Sequence, residues 1–305
     1  MTLPQTDESA GDAALAGLYA EPFRLSLPRE QLIPFVFASP HSGRVYPASF
    51  LAGSRLNPIS LRRSEDAFVD ELFAAVLGLG APMIAARFPR AYLDVNRSPA
   101  ELDAAMFDGR LPLAVDTTSP RVNAGLGVIP RVVRDGAEIY HEKLAAREAE
   151  ERLSKLYRPY HAALTRLIEQ THARFAMAVV IDCHSMPSAA VVPDIVLGDR
   201  YGISASPLLL RHAERAFEAC GFAVARNAPY AGGYTTHLHG RPARGVHALQ
   251  IAINRALYLD EETIQPNQRF EDLRARIARA LSGLVSIELS QFGRPDPHGI
   301  TLAAE

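Results

Sequence analysis

Short apolar runs alternate with amphipathic stretches along nearly the whole chain, the pattern of strands laid between helices. Residues 33–38 form a continuous apolar run, too short for an amphipathic helix, and predict a buried strand. From Ser64 the spacing turns helical: Phe68, Leu72, Val76 and Leu79 recur until Gly80 ends the stretch. Residues 83–87 and 92–95 have the look of short strands. Residues 98–137 show no sustained period and are rich in Pro, Gly, Asp and Thr, so they predict a long loop, functional or disordered. Residues 139–175 predict a long helical stretch with a break or kink at Pro159. Strands follow over 178–181 and 195–197. Ser206 as N-cap, Pro207 at the first helical position and Gly221 past the last turn then frame a helix. A strand over 222–225, a loop over 227–240 and a strand over 246–253 lead to a closing amphipathic helix, 270–292, on Leu273, Ile277, Leu281 and Leu284.

No linker-like shift in composition and no internal repeat interrupts this alternation. It predicts one α/β domain over residues 23–305, built as three layers, α/β/α, around a mixed, mostly parallel central sheet. Residues 1–22 are small and polar and read as a flexible tail without the basic start of a signal peptide. Composition adds mainly exclusions. The net charge of −2 and pI near 6.6 leave no electrostatic footprint for nucleic acid or an anionic membrane. No run reaches the roughly 18 apolar residues of a membrane span. Two cysteines give no disulfide framework, which fits a reducing, cytoplasmic setting. Most basic charge is arginine, whose fork suits carboxylates, so small acidic substrates stay open. Nothing in the chain sets its oligomeric state.

The candidate chemistry sits at strand ends. His41, in Pro-His-Ser-Gly, and His184, in Asp-Cys-His-Ser, each follow an apolar run, where open α/β sheets bind their ligands. Each could instead cap its strand by hydrogen bonds. Asp182, two residues before His184, points to the same side and could hold its tautomer. Glu65 and Asp66 open a helix, where acids are expected for the dipole alone; two histidines nearby make a carboxylate there a candidate third metal ligand. Arg90, Asn96 and Arg97 form either a carboxylate receptor or a surface ion-pair cluster. Gly232-Gly233-Tyr234 permits close approach of a ligand or makes a plain turn. His237 and His239 suit surface or substrate contacts. No nucleophile elbow, P-loop, His-Glu-x-x-His or dinucleotide fingerprint occurs.

Taken together, these segments resemble the N-formylglutamate amidohydrolase family over residues 35–260. The resemblance is carried by Ser-Pro-His-Ser-Gly (39–43), Glu-Asp-x-x-x-Asp-Glu-Leu (65–72), Arg-Ala-Tyr-Leu-Asp-Val-Asn-Arg (90–97), Arg-Pro-Tyr-His (158–161), Ile-Asp-Cys-His-Ser-Met (181–186), Gly-Gly-Tyr-Thr-Thr (232–236) and Gly-Val-His-Ala-Leu-Gln-Ile (245–251). It implies the fold of zinc carboxypeptidases and aspartoacylase, and one zinc ion on His41, Asp66 and His184. It implies a small carboxylate substrate clamped by Arg90, Asn96 and Arg97, with Gly232, Gly233 and Tyr234 shaping the pocket. The implied reaction is hydrolysis of N-formyl-L-glutamate to formate and L-glutamate. Iron, cobalt or nickel would suit the same ligands.

One departure stands out. The family's segment reads Gln-Ile-Glu or Gln-Leu-Glu, and that Glu resembles the general base; here the position is Ala252. Loss of such a group costs on the order of 10²–10⁴ in rate. Either the chain is disabled at its base, or kept as a silent zinc- or ligand-binding member, or another acid reaches in, from Asp194, Asp199 or the 98–137 loop. A metal-free hydrolase using Ser42 or Ser185 is the remaining alternative.

Overall fold

The computed structural model describes residues 12–111, 115–116, 118–133, 136–188 and 193–288. Seven strands form the central sheet: β1 (Phe23–Ser26), β2 (Phe35–Ser39), β3 (Met83–Ala86), β4 (Ala178–Met186), β5 (Ile195–Gly198), β6 (Val224–Arg226) and β7 (Val246–Asn254). Their order is β1-β3-β2-β4-β7-β5-β6. The inner four, β3, β2, β4 and β7, run parallel. β1 lies antiparallel to β3, and β5 antiparallel to β7. The sheet is therefore mixed and mostly parallel, as its continuously apolar inner strands predict.

Alternation along the inner strands feeds two cores. Phe35, Phe37, Val179 and Ile181 pack against Leu209 and Phe217 of helix Pro207–Glu218 and Leu273 and Ile277 of helix Phe270–Val285. Val36, Ala38, Ala178 and Val180 face the other way, towards Leu164 and Leu167 of helix Arg158–Phe175. Three layers result. The functional groups lie on this second face, where the strands end.

Several expectations change for identifiable reasons. The tail reading fails from Asp12 onwards. Ala13–Ala20 is a helix whose Leu18 is fully buried, and Asp12 caps it by accepting the Leu15 N–H at 3.0 Å. Asp12 also accepts the Ser49 N–H (2.8 Å) and hydroxyl (2.6 Å), which anchors the helix to the body. Residues 1–11 lie outside the described residues.

The expected helix from Ser64 is broken. Phe68 takes a left-handed φ of 62°, followed by one turn, Val69–Leu72, and a 3₁₀ turn, Ala74–Leu77. That conformation costs of the order of 1–2 kcal/mol for a residue with a Cβ. It comes two residues after Asp66, whose N–H is tied to the His41 carbonyl at 3.0 Å.

Residues 92–95 form no strand, and the carbonyls of Tyr92 and Val95 are claimed by side chains, as is that of Arg97 just beyond. Arg152 donates to Tyr92 O (3.1 Å), His161 to Val95 O (2.9 Å) and Tyr157 to Arg97 O (2.8 Å). Those donors lie on one continuous helical rod. Within it Pro159 produces a π-helical segment, Leu153–Tyr157, between Ala146–Arg152 and Arg158–Phe175. The wider turn accommodates the missing proline N–H without ending the helix. Downstream, β4 runs five residues beyond its expected end, so Asp182 sits where the strand is paired on both sides and His184 where it is paired with β7 alone. The expected loop at 227–240 contains a short helix, Tyr234–His239.

The helix framed by Ser206 and Gly221 forms as expected, Pro207–Glu218, and Ser206 Oγ accepts the N–H groups of Leu208 (3.1 Å) and Leu209 (3.5 Å). Ser206→Ala should therefore lower stability by about 1 kcal/mol. Urea denaturation should show this as an earlier midpoint with an unchanged slope.

Candidate metal centre

Three segments deliver three side chains to one point. After β2 the chain turns through Pro40 to Gly43, and a Cβ on Gly43 would sit 2.0 Å from the Phe88 carbonyl oxygen, so only glycine fits there. The Ser39 and Ser42 hydroxyls bond to each other across this turn, and Ser42 Oγ accepts the Asp70 N–H at 3.1 Å. His41 is thereby fixed. On β4, Asp182 and His184 alternate onto one face, opposite Gln250 and Ala252 of β7.

His41, Asp66 and His184 are all buried, and their candidate ligand atoms lie within 4.8 Å of one another. The two Nδ1 atoms converge on a single oxygen: Asp66 Oδ2 is 3.3 Å from His41 Nδ1 and 2.8 Å from His184 Nδ1. Asp66 Oδ1 is met separately, by Ser185 Oγ at 3.1 Å and Arg255 Nη2 at 3.0 Å. Arg255 also donates to Ser185 Oγ (3.0 Å), to Arg63 O (3.1 Å) and to Glu65 O. Glu65 itself faces away, to Tyr46 and Arg62. This supports Asp66 over Glu65 as the inward acid.

The far side of each imidazole is held by another carboxylate. His41 Nε2 is 2.8 Å from Asp94 Oδ1, and His184 Nε2 is 2.9 Å from Asp182 Oδ2. Asp94 in turn takes Arg90 Nε and the Asn96 N–H, both at 2.8 Å.

Charge follows geometry. Burial would raise Asp66, but hydrogen bonds from His184 and His41 hold it well below the usual carboxylate range. Asp94 is also held low against its burial, by Arg97, His41 and Arg90. Burial would lower His184, yet Asp182 and Asp66 push it up to about 10.

These residues fit a divalent cation. With Nε2 donating to a carboxylate, each ring keeps an Nδ1 lone pair aimed inward, the arrangement by which outer carboxylates orient metal-binding histidines. Without a cation the Nδ1 contacts to Asp66 require extra protons, the same exchange that couples metal binding to proton release.

Beside this centre lies a cavity of about 390 Å³, lined among others by Arg90, Arg97, Arg121, Tyr230, Gln250 and Ala252. Gly232 and Gly233 line it; Tyr234 does not, and packs towards His161 with ring centroids 6.0 Å apart. Asn96 lines it with its amide already engaged. Its Nδ2 lies 3.0 Å from Asp182 Oδ2 and 2.9 Å from His184 Nε2, and its Oδ1 accepts the Thr235 N–H at 2.7 Å. A Cβ on Gly233 would fall 2.4 Å from Asn96 Nδ2, so the glycine permits this packing. His237 and His239 stay outside the lining, as does Ser42. Ser185 lines it, but its hydroxyl is taken by Asp66 and Arg255.

Ala252 is buried against Met186 and Val196. Among the described lining residues Asp66 is the only carboxylate. Asp194 accepts the Ala223 N–H (3.0 Å), Asp199 accepts from Asn227 Nδ2 (2.8 Å), and neither lines the cavity. A larger hollow of about 830 Å³, lined by Tyr19, Tyr92, Tyr140 and Arg152, lies apart from the only such ligand group among the described residues.

Sequence reasoning missed Arg255, Asp94 and Arg121. Arg255 had one visible signal, an arginine straight after an apolar strand, where burial demands acidic or carbonyl partners.

A mixed α/β sheet with a buried His–Asp–His set at its strand ends, opening on a small arginine-lined cavity, has the build of a hydrolase for small acidic molecules. The N-formylglutamate amidohydrolase profile matches residues 33–259, and the chain belongs to that family of amidohydrolases. N-formylglutamate deformylase of Pseudomonas putida is 28% identical over 250 residues, 79% of this chain and 86% of that one. The protein of the same name from Pseudomonas aeruginosa is 28% identical over 241 residues, 75% and 84% of the two chains. The crystal structure of N-formylglutamate amidohydrolase from Ralstonia eutropha JMP134 superposes with a TM-score of 0.81 at 38% identity, covering 86% of this chain and 97% of that one.

The charge pattern predicts how the metal-free protein responds to pH. His184 is raised from 6.5, so its contribution is complete below that value and is lost as pH climbs to about 10. Asp66 and Asp94 are lowered from 3.8, so theirs is present above that value and fades as pH falls through the lower folded-state values. Denaturation midpoints taken in chelator should hold steady between these limits and decline on either side. A flat midpoint from pH 7 to 10 would contradict the His184 assignment.

Proposed function

We propose that this protein hydrolyses the formamide bond of N-formyl-L-glutamate to formate and L-glutamate, with zinc held by His41 Nδ1, Asp66 Oδ2 and His184 Nδ1. The observation that carries the reading is the convergence of those three atoms beside a small cavity bearing three arginines. Zinc bound there would supply a Lewis acid, able to polarise an amide carbonyl and to lower the pKa of a water. The chain's own residues do the rest. Asp94 and Asp182 keep both Nε2 atoms occupied, so that both Nδ1 atoms face the ion. Arg90, anchored by Nε on Asp94, presents its guanidinium to a substrate carboxylate. Asn96 ties the 233–235 segment to Asp182 and closes the site from that side. Free Cys183 and Cys220 suit a reducing compartment, and we place the reaction in the cytoplasm. No helix among the described residues is long and apolar enough to cross a membrane.

Ala252 favours a second reading, a silent zinc- or ligand-binding member of the family. Its methyl group faces the position next to His184 where the family's Glu would take a proton from water and return it to the leaving amine. Formate release from N-formyl-L-glutamate, measured for the zinc-loaded chain and for Ala252→Glu, separates the two readings. The Glu form should be faster by ~10²–10⁴. Equal rates would place the base elsewhere, and no formate from either would remove this substrate. His184→Ala should lose bound zinc; full occupancy in that variant would refute the ligand set.

A further inference from the structure

A glutamate derivative carries two carboxylates separated by three carbons, and one receptor cannot hold both. Of the three arginines lining the cavity, Arg97 is already engaged. Its Nε donates to Leu126 O (3.0 Å), its Nη1 to Asn96 O (2.8 Å), and its Nη2 faces Asp94 at 3.8 Å. Arg90 holds Asp94 through Nε. Together Arg90 and Arg97 set two positive charges against the single carboxylate of Asp94, a balance that suits one further anion.

Arg121 differs from both. Its side chain is 45% exposed, against 26% for Arg90 and 12% for Arg97. Among the described residues its one ion pair, to Glu101 Oε1, spans 3.7 Å, outside hydrogen-bond range. Glu101 is occupied otherwise, by Ser119 Oγ at 2.7 Å and the Ser98 N–H at 2.9 Å. The backbone of Arg121 is nevertheless fixed to the cavity frame. Its carbonyl accepts the Leu126 N–H at 2.8 Å, and the Leu126 carbonyl accepts from Arg97. An anchored backbone with uncommitted guanidinium donors at a cavity wall is the form of a carboxylate receptor.

We infer that Arg121 receives the second, side-chain carboxylate of the substrate and makes this chain selective for N-acyl amino acids with an acidic side chain. The inference rests on the function proposed above. Arg90 takes the first carboxylate, and Arg97 is a positioning residue that locks Leu126 and Asn96.

The test is calorimetric titration of the zinc-loaded chain with N-formyl-L-glutamate and N-formyl-L-glutamine. The glutamate compound should bind roughly 10- to 100-fold more tightly, the worth of a hydrogen-bonded charge pair. In Arg121→Gln the two affinities should come within about twofold, through loss of the glutamate compound's advantage alone. Arg121→Lys should restore part of the preference by keeping the charge. An undiminished preference in Arg121→Gln would overturn the receptor and leave the proposed function standing. Failure of both compounds to bind the unaltered chain would overturn the substrate reading and the receptor with it.

Discussion

A carboxylate removed from water must be answered on every side, and Asp66 sets that requirement for this molecule. Its two oxygens take two imidazoles, a hydroxyl and a guanidinium. Those four partners arrive from the end of β2, from β4 and from the turn after β7. Removing one partner of such a buried cluster leaves uncompensated charge, commonly worth 3–5 kcal/mol. The broken helix after Ser64 lies beside this cluster: Asp66 is buried with it, while Val69, Leu72 and Val76 are buried in the core. Phe68 absorbs the change of direction. Its ring is held under the Arg44 guanidinium, 4.7 Å from the ring centroid, and against Phe270.

The histidines extend this logic outward. Each ring stands between two carboxylates, and each outer carboxylate has its own support, Asp94 from Arg90 and Asp182 from Asn96. The electrostatics are thus layered, and negative charge exceeds what two neutral imidazoles can balance. A divalent cation bound there would resolve the excess at the centre. At the cavity wall Arg90, Arg97 and Arg121 set positive charge against it. Ala252 breaks the sequence of polar groups at one point, beside His184, in an apolar corner with Met186 and Val196.

What was legible in the sequence were features whose cause is local. The strand runs, the helix between Ser206 and Gly221, and His41 just past the end of β2 all follow from neighbouring residues. The wrong or missing parts have distant causes. Asp94 matters because of His41, 53 positions away, and Arg255 because of Asp66, 189 positions away. The apolar look of 92–95 suggested a strand, but no neighbouring strand supplies its hydrogen bonds. The N-terminal segment looked loose because alanine and glycine carry little pattern, while its docking depends on Asp12 reaching Ser49.

The segment from Arg90 to Arg97 is held by three side chains of one helical rod, Arg152, Tyr157 and His161, each bonded to a carbonyl. A strand in that place would be held by main-chain bonds, which nearly every sequence makes alike and only proline removes singly. Side-chain clasps can be exchanged one at a time, on a rod that does not line the cavity beside the His–Asp–His set. The spacing of the arginines is therefore open to gradual adjustment by descent, while the sheet that carries the histidines stays unchanged.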